Sequence, residues 1–60
     1  MLARAYFQLV DQIAAAHSDT ELAEVRARVA ATEMHPFEHR ALERQLRARE
    51  LALQLELETL

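Results

Sequence analysis

The side chains most able to do chemistry cluster in the string His35-Pro36-Phe37-Glu38-His39. Two imidazoles can bind a divalent metal, and a neighbouring carboxylate can act as general base, which together make a hydrolytic zinc site. A second set, His17-Ser18-Asp19, supplies a base, a hydroxyl and a carboxylate. Adjacent residues cannot form the through-space relay of a nucleophilic triad, so structural work is expected of them. Cysteine is absent, which removes thiol catalysis, disulfides and cysteine-bearing metal sites. The remaining carboxylates fall on expected helix surfaces, and a chain of 60 residues hardly encloses a pocket of roughly 300 Å³ or more.

The first string fits the pattern H-x-x-E-H and so resembles the inverzincin metallopeptidases, in which two helical histidines bind zinc beside a glutamate base. Carried over, the resemblance implies His35 and His39 as ligands and Glu38 as the base. It covers five residues and departs from the family at Pro36. A proline suits the first position of a helix, which makes His35 the cap before it and not a helical residue one turn from His39. The expectation is therefore His35 capping, Glu38 favouring the helix dipole and His39 partly exposed. No metal site, no cofactor and no enzymatic activity are expected.

Arg40, Arg44 and Arg47 recur at i, i+4, i+7 near the start of a helix that follows a short turn. A helix-turn-helix regulator carries its recognition helix at that place, and arginine suits phosphates and guanine edges. Against this stand a net charge of −3, Glu43 inside the stripe and the absence of lysine. The plainer expectation is a solvated face with ion pairs from Glu43 to Arg47 and from Arg47 to Glu50. Nucleic-acid binding through these arginines remains the alternative.

Composition decides which elements hold these side chains. Ala and Leu make up 22 of the 60 residues, with no Gly and one Pro. Only seven residues are β-branched, which argues against an all-β fold. An apolar share of 52% with 28% charged residues is too hydrophobic for a disordered chain. Charge-free runs such as Ala5 to Val10 are short for a membrane span, and the Met1-Leu2-Ala3-Arg4 start lacks a signal peptide's apolar region. An all-α, soluble, cytoplasmic chain is expected, one domain over residues 1–60, built from three helices at about 2–16, 19–33 and 36–59.

Each helix has its own grammar. Leu2, Tyr6, Leu9, Val10, Ile13 and His17 repeat at helical spacing on the first. Ser18 and Glu21 then form a capping box for the second, whose apolar face is Leu22, Val25 and Val29. Ala23, Ala27 and Ala30 flank that face and would admit a neighbouring backbone closely. Glu24 and Arg28 are spaced for a surface ion pair. Tyr6, Phe7, Met34 and Phe37 are expected to form the aromatic end of the core. The series Ser18…Glu21-Leu22…Val25…Val29, a turn, then Leu42…Leu46 resembles helical modules of small bacterial nucleoid-modulating proteins and of the ends of phage recombination proteins. That likeness implies a small bacterial or phage regulatory protein, through positions any capped helical hairpin shares.

The third helix is the informative one. Its end, Leu51 to Leu60, alternates with period two, but Leu, Ala, Gln and Glu are strong helix formers, so helix is expected. On a helical wheel Leu42, Leu46, Leu53, Leu57 and Leu60 form one stripe. Phe37, Ala41, Ala48, Leu51, Ala52 and Leu55 form a second, nearly opposite. At 1.5 Å per residue this helix spans ~36 Å against ~24 Å for the others, so a leucine-rich overhang of ~12 Å is expected. A hydrophobic ledger points the same way: burial contributes ~90 kcal/mol and ordering costs ~90 kcal/mol, which leaves nothing to spare. A helical-bundle homo-oligomer, most simply a two-fold dimer, is expected through Leu46, Ala48, Leu51, Leu53, Leu55, Leu57 and Leu60. Arginines fill the first half of the helix and Glu50, Glu56 and Glu58 the second, so an antiparallel copy would match the charges. The expected role is protein–protein contact, as an adaptor, an accessory or regulatory subunit, or a partner-sequestering inhibitor.

Overall fold

A computed structural model describes residues 4–58. It contains α1 (Arg4–Ala15), α2 (Asp19–Ala31) and α3 (Pro36–Glu58), and every regular element among the described residues is helical. The expected start at Leu2, the expected end at Thr59 and the expected interface position Leu60 lie outside the described residues.

The capping signals set the helix ends. Ser18 is extended (φ −144°, ψ 163°), and its hydroxyl accepts the Glu21 N–H at 3.2 Å. The Glu21 carboxylate reaches back one residue further than a standard box, accepting the N–H of His17 at 2.8 Å. α2 stops two residues before the expected Glu33, because Thr32 leaves the helical region (φ −93°, ψ 127°). The Thr32 N–H then donates to the Val29 carbonyl, and its hydroxyl donates to the Arg28 carbonyl at 2.6 Å. Two carbonyls of the last turn are thus satisfied locally.

Every pair of helices is in contact, and the core lies where their apolar faces meet. Leu9, Ile13 and Ala16 pack with Leu22, Val25 and Val29 of α2 and with Leu42, Leu46 and Leu53 of α3. Tyr6, Val10 and Met34 lie against this cluster. Phe7 and Phe37 do not join it and are about half exposed, which corrects the expected aromatic end. Each is rotated off its helix's inner face: Phe37 stands five residues before Leu42, about 140° around the helix. Phe7 instead meets the Tyr6 ring edge-on at 5.5 Å, and Phe37 lies 4.6 Å from the His35 ring.

Two more expectations are corrected. Ala23, Ala27 and Ala30 are exposed, and the small residue in the core is Ala16. Arg28 turns from Glu24 to α1, donating to Gln12 Oε1 at 2.9 Å. The chain measures 40 × 16 × 15 Å and exposes 4630 Å², against about 4,000 Å² for a compact monomer of its mass. No helix among the described residues is long and apolar enough to cross a membrane.

Candidate functional site

The histidine string is fully engaged in local structure. His35 is the N-cap of α3: its Nδ1 accepts the Phe37 N–H at 3.3 Å, while Glu38 Oε1 accepts the His35 N–H at 3.0 Å. This is a capping box with imidazole in place of a hydroxyl, and it requires the tautomer with Nδ1 unprotonated. Pro36 opens the helix where its missing N–H costs nothing. His39 Nε2 donates to the Thr32 carbonyl at 2.9 Å, so the imidazole closes the C-terminus of α2. Glu38 is 5% exposed, a buried carboxylate in the first turn of α3. Among the described residues no three His, Asp or Glu side chains group as metal ligands.

Arg49 does for α1 what His39 does for α2. Its Nε and Nη2 both donate to the Ala16 carbonyl, at 3.0 and 2.9 Å. A cation at a helix C-terminus also meets the favourable end of the dipole. By residue order Arg49 belongs with the other arginines in the first half of α3, and no local motif announces this capping role. The available signal was its spacing: Leu42, Leu46, Arg49 and Leu53 follow steps of four, three and four, so Arg49 interrupts an apolar row.

That row is the inner seam of α3, and a second seam runs along the outer side. Phe37, Ala41, Arg44, Ala48, Leu51, Leu55 and Glu58 follow the same alternation of four and three, the spacing of a helix that packs against another along its length. The inner row is filled within the chain: Leu42, Leu46 and Leu53 are 0%, 2% and 5% exposed. Of the expected interface residues, Leu46 and Leu53 therefore spend their surface on the core. Ala48, Leu51, Leu55 and Leu57 remain exposed, the three leucines by 57%, 53% and 66%.

An overhang accounts for Leu57, which follows buried Leu53 on the inner stripe and is 66% exposed, but not for Leu51 and Leu55. His17, Ser18 and Asp19 of the first turn line a cavity with Leu53, Glu56 and Leu57, so the α1–α2 hairpin follows α3 into its last described turns. Leu51 and Leu55 are exposed because they point away from the hairpin, not because they extend past it.

The arginines lie beside this outer seam. Arg40, Arg44 and Arg47 are exposed and, with Glu43, line a shallow depression. The expected pairs Glu43–Arg47 and Arg47–Glu50 do not form. Glu50 is drawn across to α2, where Arg26 Nη2 meets Glu50 Oε2 at 2.8 Å, the one salt bridge among the described residues. Both partners are about half exposed, so this bridge contributes ~0–1 kcal/mol. Its larger effect is to leave Arg47 without the partner that the local sequence offered it.

No protein-family model matches this chain, and no curated protein or solved structure matches it either.

Proposed function

We propose that this chain is a small non-enzymatic helical interaction module that self-associates through the outer face of α3. Its role would be that of an adaptor, an accessory subunit or a partner-sequestering inhibitor. The observation that carries the reading is the pair Leu51 and Leu55. They sit one turn apart on one face, each more than half exposed, with Ala48 beside them, while the inner face of the same helix is already filled. Contiguous exposed leucines on a small domain mark a contact surface. The stereochemistry of the histidine string supports the non-enzymatic part, since each of its polar side chains serves a helix end. A cytoplasmic setting is part of this proposal.

The test is sedimentation of the unmodified chain beside a Leu51→Glu, Leu55→Glu variant. The reading expects a concentration-dependent dimer or higher species from the first and a helical monomer from the second. A monomer at millimolar concentration, or an unchanged profile in the variant, would overturn it.

A second reading rests on the three unpaired arginines. A helix-turn-helix regulator would present Arg40, Arg44 and Arg47 to DNA from the start of α3. A salt-sensitive shift of duplex DNA, lost when the three become glutamine, would support that reading. Absence of binding at low salt removes it.

A further inference from the structure

We infer that the occupant of the outer seam is the α3 of a second copy, running antiparallel, with Ala48 seated across from the partner's Leu51. This rests on the self-association reading above and adds its orientation and register. Charge on the outer side of α3 is segregated along its length. Arg40, Arg44 and Arg47 occupy the first half with Glu43 as the one acid among them, Glu50 is held by Arg26, and Arg49 is turned inward onto the Ala16 carbonyl. Exposed Glu58 stands in the last described turn, which carries no basic residue. A parallel copy would set arginine beside arginine at three successive levels and align two helix dipoles. An antiparallel copy sets the arginine-rich half beside the partner's acidic end, and its positive N-terminal pole beside the other helix's negative one.

Side-chain size sets the register. Spacing of four and three lets the outer seam meet itself about a two-fold axis placed between Ala48 and Leu51. In that register a small residue faces a large one in each central layer, so the leucines interdigitate without voids. The next layers set Arg44 against the partner's Leu55, where the arginine stem covers apolar surface and its head group nears the partner's Glu58. In the parallel arrangement alanine would face alanine and leave a gap in the layer next to two opposed leucines.

The chain contains no cysteine, so engineered thiols read the orientation directly. Two single variants are made, Arg44→Cys and Leu55→Cys, both at exposed positions. In the antiparallel register each thiol lies ~16 Å along the axis from its own copy, beyond the ~7 Å Cα reach of a disulfide. Mild oxidation of either variant alone should give no covalent dimer, whereas an equimolar mixture should give the mixed dimer, identified by mass. Ala41→Cys with Glu58→Cys repeats the test in the next layer, should the first pair weaken association. Self-linked dimers from each single variant would overturn the antiparallel arrangement while leaving self-association standing. A dimer by sedimentation with no covalent product from either mixture would overturn the outer seam as its interface. A monomeric unmodified chain would overturn this inference together with the reading it rests on.

Discussion

The inner and outer seams of α3 share a helix, a residue spacing and a preference for leucine, yet their fates are opposite. Leu42, Leu46 and Leu53 are buried, whereas Leu51 and Leu55, on the other side, are more than half exposed. Hydrophobicity therefore does not distinguish them. The hairpin of α1 and α2 docks on one side only, and polar side chains fix which side. Arg49 grips the Ala16 carbonyl and His39 the Thr32 carbonyl, so each preceding helix is held at its C-terminus by α3. The outer seam has no such anchors among the described residues and is instead flanked by the unpaired arginines. A seam that caps neighbouring helices is committed to its own chain, and a seam flanked by segregated charge is open to another.

Truncation at matched positions breaks this comparison most sharply. Leu42→Ala should destabilise the fold by about 2–5 kcal/mol, because a fully buried leucine leaves a cavity. Leu55→Ala should leave unfolding of the dilute chain almost unchanged and weaken only self-association. Urea denaturation followed by circular dichroism, at one protein concentration kept low, measures both. Equal losses for the two would mean that the seams are not distinct.

The anchors come next. Arg49→Met keeps the stem but removes both donors to the Ala16 carbonyl, and should cost about 1–3 kcal/mol, the penalty of an unsatisfied buried acceptor. Thermal unfolding would show it, and hydrogen exchange should rise first at the α1–α2 junction. Ser18→Ala should cost ~1 kcal/mol as the loss of one N-cap. The smallest effect belongs to Arg26→Ala, below ~1 kcal/mol, since the bridge to Glu50 is solvent-screened. That change should nonetheless release Glu50 towards Arg47, which a double-mutant cycle with Glu50→Gln would detect as a coupling in one background only.

Much of the fold was legible in the residues themselves. Ser18 with Glu21, and His35 with Pro36 and Glu38, place two helix starts within a residue, because caps are local interactions between neighbours. The core faces of α1 and α2 were legible too, since period 3.6 is written in the chain, whereas α3 offered two apolar faces. What escaped was anything that joins residues distant in sequence. Arg28 turned from Glu24 to Gln12, Glu50 from Arg47 to Arg26, and Arg49 to a backbone carbonyl. For Arg28 and Glu50 a local partner was offered and a tertiary one prevailed, as flexible charged side chains gain little from the exposed local pair.

The same division holds for the contact surface. The sequence by itself determined that α3 has two apolar faces and polar charge separated end from end, because both follow from residue order on a regular helix. Only the tertiary structure decided which face remains open. Leu46 and Leu53 were as eligible for an interface as Leu51 and Leu55 until the hairpin docked. Its side of approach depends on capping contacts between residues that sequence spacing cannot bring together, namely Arg49 with Ala16 and His39 with Thr32.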